Sequence, residues 1–308
     1  MRIAVVGVGA MGSVYAGLLA AAGNEVVAVD AWQEHVEAID RDGLRVEGAS
    51  GDRTVRVRAA TDASELGTVD LVVLATKAYD VESAARASIP LVAAETLVLT
   101  IQNGLGSADR VAAILGEDRV AVGIAGGFGA SIRAPGHVHH NGWELVRMGE
   151  RRGGPTPRTE RVAETWRAAG FRAEACGDME RAIWEKLVCN VAFSGVCVVL
   201  ELPIGAVLAD PDAWRVAAAC ATEAYEVALA SGVELELADA AAHVRAFGER
   251  IPDARPSTLL DFLAGRRSEI GVINGAIPEV AASIGREAPA NAIVASLVLA
   301  KEAARGAG

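Results

Sequence analysis

Three groups of residues in this 308-residue chain have the types and spacing to do chemistry. The first is Gly7-Val8-Gly9-Ala10-Met11-Gly12, set directly after the apolar run Ile3-Ala4-Val5-Val6; a second apolar run, Val26-Val27-Ala28-Val29, closes on Asp30. A dinucleotide's diphosphate calls for this pattern. Gly7 makes a tight turn after a strand, Gly9 lets backbone N–H groups approach the phosphates, Gly12 lets the helix pack close to the strand, and the helix N-terminus faces the anion. Asp30 suits a free ribose 2′-hydroxyl. The second group is Lys186, Asn190 and Ser194, at i, i+4 and i+8 on one face of a helix whose other residues include Leu187, Val188, Val191 and Phe193. A lysine buried there needs a partner, and a solvated stripe is the competing reading. The third is Ser257 and Glu269. Spacing alone makes them helix caps, with Ser257 and Ser268 as N-caps, Gly265 as the C-cap between them, and Glu269 favoured by the helix dipole in a first turn.

The elements around these groups determine what they can be. A helix is expected over 13–22, between the two apolar runs, so the glycine motif sits in a strand–turn–helix–strand context. A secretory leader is the alternative for this stretch, because Arg2 precedes mostly apolar residues and Ala20-Ala21-Ala22 mimics a cleavage site; three glycines inside it would be poor helix formers. Beyond a helix over 35–40, alternating runs at 44–47 and 54–58 read as a hairpin. Residues 69–75 and 96–101 are nearly continuous apolar runs, the pattern of parallel strands buried on both faces, and 119–125 supplies another. Residues 136–140 and 143–147 read as a second hairpin turning at Asn141-Gly142. Helix and strand follow over 159–171, and from Asp178 onward the period is helical. The expected fold is an α/β N-terminal Rossmann-type domain with a parallel sheet, followed by an all-α C-terminal domain. The boundaries are 1–177 for dinucleotide binding and 178–308 for a helical substrate and catalytic domain.

A net charge of −11 excludes a phosphate-binding surface for nucleic acid or anionic membrane and suits a cytoplasmic enzyme. The four cysteines, Cys176, Cys189, Cys197 and Cys220, show no C-x-x-C spacing and read as reduced buried thiols. His137, His139 and His140 lack a completing Cys or carboxylate nearby in sequence, so no metal site is expected; alternating exposure along a strand accounts for them. The glycine-rich run 123–129 reads equally as backbone room beside a nicotinamide or as an ordinary loop.

Taken in order, Gly7-x-Gly9-x-x-Gly12, Thr76-Lys77-Ala78, Gln102-Asn103-Gly104-Leu105-Gly106, Trp184-x-Lys186-Leu187-x-x-Asn190, and Ser257 with Glu269 twelve residues on make a chain that resembles the ketopantoate reductase (2-dehydropantoate 2-reductase) family over nearly its whole length. The resemblance implies an NAD(P)-dependent oxidoreductase that reduces a small 2-oxoacid, 2-dehydropantoate or a relative, to the 2-hydroxyacid, as in pantothenate biosynthesis. It implies that Lys186 is the general acid, with Asn103 near the nicotinamide and the reacting centre. Glu269 would hold Lys186 or a substrate hydroxyl, Ser257 would bind the substrate carboxylate, Asn190 would bind its polar tail, and Lys77 would lie near the cofactor. Cofactor contacts fall to Gly7, Val8, Gly9, Ala10, Met11, Gly12, Asp30, Lys77 and Asn103. Two positions depart from the family pattern. Ser194 stands where a second Asn is usual, which removes an amide from the recognition of the ketopantoate 4-hydroxyl. Positions 31–33 offer no basic residue for a 2′-phosphate, so NADH is expected over NADPH. The expected partners are the small 2-oxoacid and, as an assembly, a homodimer. A 3-hydroxyacid dehydrogenase of the 6-phosphogluconate-dehydrogenase-like class shares the Rossmann start and a Lys-x-x-x-Asn pair but has a glycine-rich approach to its lysine, where this chain has Met179-Glu180-Arg181-Ala182-Ile183-Trp184. A non-catalytic nucleotide-sensing protein is the third reading.

Overall fold

Strand β1 (Arg2–Val6) is apolar for four consecutive residues because it lies inside a sheet, with β2 (Glu25–Val29) parallel on one side and β6 (Val69–Leu74) parallel on the other. The computed structural model describes residues 1–127, 129–142 and 145–306. Their contacts divide into two compact units: residues 1–102 with 106–179, and residues 103–105 with 180–308.

In the first unit, β3 (Leu44–Gly48), β4 (Arg53–Val55), β5 (Arg58–Ala60), β7 (Val92–Thr100), β8 (Val120–Ala125), β9 (Gly129–Ala134), β10 (His137–Gly142), β11 (Leu145–Glu150) and β12 (Arg172–Ala175) complete two sheets. The larger runs β12-β11-β8-β7-β6-β1-β2-β5, parallel except where β11 meets β8. Its direction of progression reverses at β1, and such a switch point opens a crevice at the strands' carboxyl ends. Helices α1 (Ala10–Ala21), α2 (Gln33–Asp42), α3 (Val81–Ala87), α4 (Ser107–Leu115) and α5 (Pro157–Ala168) belong to this unit. Tyr15, Trp166 and Phe171 pack as an aromatic cluster with ring centroids 4.8–5.9 Å apart, joining α1 to α5 and the entry of β12.

The smaller sheet runs β4-β3-β10-β9 and corrects two strand-pairing expectations. Leu44–Val46 do pair antiparallel with Arg53–Val55, but Arg58–Ala60 leave that hairpin and join the large sheet beside β2. The second hairpin, at Asn141-Gly142, does not form. β10 pairs with β9 and β3, whereas β11 pairs with β8 and β12 in the other sheet. The turn that does form before β10 is Pro135-Gly136, where Gly136 has φ +72° and Pro135 pre-sets the preceding torsion. Trp143 and Glu144, named in that expected hairpin, and Phe128, in the glycine-rich run, lie outside the described residues.

The second unit is helical: α6 (Met179–Leu200), α7 (Ile204–Ala209), α8 (Pro211–Ala230), α9 (Ala240–Glu249), α10 (Ser257–Leu263), α11 (Ala276–Ser283) and α12 (Pro289–Ala304), with a 3₁₀ turn at Ile270–Val272. Among the described residues α6 is the one helix long and apolar enough to cross a membrane, and 67% of that apolar window is buried. It is the core helix, and Val188, Val191, Ala192, Phe193 and Cys197 are almost wholly inaccessible. Burial pushes the thiols of Cys189, Cys197 and Cys220 up to about 12, which leaves them as protonated packing groups. Gly195 lets α12 pack close to α6, since a Cβ there would overlap Val294.

Candidate active site

The phosphate loop of the first unit is set by its own packing. Gly7 has φ +90° and donates its N–H to the Val29 carbonyl at 2.8 Å, and a Cβ on it would lie 2.6 Å from the backbone nitrogen of Thr76. A Cβ on Gly12 would overlap the Gly7 carbonyl oxygen. Gly9 differs: a Cβ there would meet no protein atom within 4 Å. Gly9 is also the N-cap of α1 and supplies no side-chain acceptor, so the first-turn N–H groups, those of Ala10 and Met11 included, face a space that protein leaves open. Packing requires two of the glycines, and the third borders open space at the helix N-terminus. The site fits a dinucleotide's diphosphate.

Asp30 closes β2, and its Oδ1 accepts the Trp32 N–H at 2.9 Å in a tight local turn, while Oδ2 has no partner among the described residues. Arg41 is committed to Asp42 at the far end of α2, and Arg53 bonds the Ser50 carbonyl. Lys77 follows the Thr76 that packs on Gly7, and so lies at the carboxyl edge of the sheet. Gln102, quoted in the motif but given no role, proves structural. Its Nε2 donates to the Leu74 and Thr76 carbonyls at 2.7 and 3.2 Å, tying the ends of β7 and β6 together.

In the second unit, Lys186 Nζ donates to Asn103 Oδ1 at 2.8 Å, and Asn103 Nδ2 donates to Glu269 Oε2 at 3.3 Å. The three expected catalytic residues thus form one hydrogen-bonded row. Asn103 reaches it because residues 103–105 belong to this unit: the Leu105 N–H donates to the Val272 carbonyl at 3.0 Å, and a Cβ on Gly104 (φ +77°) would overlap that same carbonyl. Burial lowers the Lys186 pKa from 10.5 to about 8, against the Glu269 carboxylate, which raises it. Asn190 is half-buried with no hydrogen-bond partner among the described residues, and Ser194, one turn on, is buried.

The capping roles of Ser257 and Glu269 fail, whereas Gly265, with φ +69°, ends α10 just past its last turn and donates its N–H to the Phe262 carbonyl. Pro256 holds the N-cap position of α10, so Ser257 lies one residue inside the helix, exposed and without a cap bond. Glu269 is buried and turned to Asn103 instead of capping. Ser268 does accept the Ile270 N–H at 3.3 Å, while its own N–H donates to buried Glu302 at 3.1 Å. On β10, His137 and His139 contact Glu47 at 3.1 and 3.3 Å, a carboxylate that strand pairing brings across from β3, while Val138 and His140 alternate inward.

A glycine turn at a sheet switch point and a lysine whose pKa burial lowers, on a helical unit, fit a two-unit nicotinamide-type oxidoreductase. The family model described as ketopantoate reductase PanE/ApbA matches residues 3–153, and that of its C-terminal domain matches residues 178–302. The chain belongs to this family of oxidoreductases acting on CH–OH groups. It is 33% identical to the 2-dehydropantoate 2-reductases of Archaeoglobus fulgidus, over 96% of both chains, and of Halobacterium salinarum, over 97% of this chain and 98% of that one. Among solved structures, the PanE/ApbA family ketopantoate reductase of Ralstonia eutropha JMP134 matches with TM-score 0.91 and 34% identity, over 99% of this chain and all of that one. D-mandelate dehydrogenase bound to NADH and anilino(oxo)acetate matches with TM-score 0.93 and 27% identity, over the whole of both chains.

Proposed function

We propose that this chain reduces a small 2-oxoacid to the 2-hydroxyacid, with Lys186 as general acid, and prefers NADH. The observation that carries the reading is Lys186, held at 2.8 Å from Asn103 and shifted to about 8, close to the pH at which a proton donor works best. When bound, the reduced nicotinamide supplies the hydride to the substrate's C2. The remaining work is the protein's. The Lys186 ammonium bonds the carbonyl oxygen, stabilises its developing negative charge and gives it a proton. Asn103 aims the ammonium, and Glu269 orients Asn103 while keeping the lysine charged. Asn190 and Ser194 bind the substrate's tail and Ser257 its carboxylate. Gly7 to Gly12, Asp30 and Lys77 hold the cofactor, within a dinucleotide domain of 1–177; the helical domain of 178–308 carries the remaining groups except Asn103, whose segment 103–105 packs with it.

Ser194 in place of an amide, together with the likeness to D-mandelate dehydrogenase, favours aryl or branched 2-oxoacids beside ketopantoate itself. NADH-dependent rates across ketopantoate, benzoylformate and branched 2-oxoacids test this. Lys186→Ala is expected to lose about 10²–10⁴ in rate on the best substrate with NADH binding retained, and a rate within a few-fold of the parent would remove the lysine from the reaction. We assign the enzyme to the cytoplasm and to a homodimer. The dimer reading is supported by one face of α12, where Ile293, Ser296, Leu297 and Ala300 are exposed side by side with no charged residue among them; sedimentation tests it.

A further inference from the structure

His35, in the first turn of α2, is completely buried although nothing in the reaction calls on it. Its ring is bonded on both sides. Nδ1 accepts the Gly136 N–H at 3.0 Å, and Nε2 lies 3.1 Å from Ser13 Oγ, which in turn is 2.6 Å from the Val8 carbonyl. One proton arrangement satisfies all three contacts. The Gly136 amide must donate, so Nδ1 carries a lone pair. The Ser13 hydroxyl spends its proton on the Val8 carbonyl, so its oxygen must accept, and Nε2 carries the hydrogen. The chain Gly136 N–H to Nδ1, Nε2–H to Ser13, Ser13 O–H to Val8 runs from the turn between β9 and β10 to the centre of the phosphate loop, and it requires a neutral imidazole.

We propose that neutral His35 is a positioning residue for the phosphate loop, so that its protonation releases the loop and weakens binding of the cofactor's diphosphate. This rests on the reading that Gly7 to Gly12 hold the diphosphate. A proton on Nδ1 would point at the Gly136 N–H, setting donor against donor inside a buried site, and separating the two pulls on Ser13 and Val8. The ring has little room to turn away. Trp32 stacks on it, with centroids 4.7 Å apart and planes 9° from parallel, and Trp32 is itself pinned by its N–H bond to Asp30. Asp30, at the end of β2, is the one charged group among the described residues that bears on the ring; α1 presents Ser13 and the β9–β10 turn an amide. Asp30 and the Val8 carbonyl favour the charged ring, but burial outweighs them and holds His35 below the ordinary histidine range.

The test is the dissociation constant of NADH, without substrate, between about pH 8 and about pH 5. The parent is expected to weaken by about 3- to 10-fold across that range, as the competent fraction falls. His35→Gln, whose amide donates and accepts without titrating, is expected to bind at the upper pH within a few-fold of the parent and to lose most of the acid dependence. An equal acid dependence in both proteins overturns the proposal. Imidazole ¹⁵N shifts in the parent give a second measurement that needs no variant: His35 should show a protonated Nε2 and a bare Nδ1 at the upper pH, and the opposite tautomer overturns the proposal even if His35→Gln does not fold. Failure of the parent to bind NADH at any pH would overturn the underlying cofactor reading as well, and is distinct from binding that ignores pH.

Discussion

Lys186 and Asn103 are 83 positions apart in sequence, and their side chains meet at 2.8 Å with the lysine as donor. A carboxamide oxygen is a neutral acceptor. It fixes where the ammonium points without adding the charge that would hold the proton back; the charge sits one bond further away, on Glu269.

That arrangement sets a pH dependence. With Lys186 as the proposed general acid, reduction would need the protonated lysine, so the rate should fall as pH rises through about 8. Glu269 raises the Lys186 pKa, and Glu269→Gln should therefore move the falling limb to lower pH while keeping a hydrogen-bond acceptor for Asn103. The sign for stability is opposite. A lysine whose folded pKa is depressed binds fewer protons folded than unfolded between about 8 and 10.5, so its contribution to stability increases as pH rises through that window. Rate profiles and denaturant midpoints on parent and variant check both.

Two glycines of one motif should fail in different ways. Gly12→Ala drives a Cβ into the Gly7 carbonyl and should cost about 1–3 kcal/mol of stability through overpacking. Gly9→Ala meets no protein atom, so its thermal midpoint should match the parent's while NADH affinity falls by about ten-fold or more, equivalent to about 1.4 kcal/mol. Thermal scans paired with NADH titrations separate the two, and an unchanged affinity in Gly9→Ala would place the diphosphate elsewhere.

Cofactor choice should follow Asp30. A 2′-phosphate beside that carboxylate sets like charges about 4 Å apart, worth roughly 4 kcal/mol per pair at an effective dielectric near 20 before solvent screening. Arg41 is occupied by Asp42 and Arg53 by the Ser50 carbonyl, so neither is turned to the phosphate. NADH is expected to exceed NADPH by about ten-fold in kcat/KM, and Asp30→Ala should narrow the gap. Parallel kinetics with both cofactors decide it.

The parts of the molecule that were legible in sequence are those written in short-range pattern. β1, the glycine turn, α1 and β2 follow from apolar runs and glycine spacing, and the face shared by Lys186, Asn190 and Ser194 follows from helical period. Contacts over long separations were not legible. Asn141-Gly142 is a strong local hairpin signal, yet β10 pairs with β3 and β9, which buries Val138, and not with β11. β9 itself went unseen because Gly129, Ala130 and Ser131 are small, half-exposed and without alternation. Ser257 and Glu269 looked like caps because a cap is the local use for such residues. The partner that turns Glu269 inward, Asn103, lies 166 positions away. His35 carried no signal at all, since its meaning lies in Gly136, 101 positions on.

The three-residue excursion of Asn103, Gly104 and Leu105 into the helical unit bears on how such an enzyme can be inherited. A gene segment encoding 178–308 and transferred to another nucleotide-binding partner would carry Lys186 and Glu269 but leave behind the carboxamide between them. The recipient would have to present its own Asn at the end of its own fifth parallel strand, with a glycine after it to clear the Val272 carbonyl. Recombination at the domain boundary would therefore divide the hydrogen-bonded row, leaving Lys186 and Glu269 without the carboxamide that joins them.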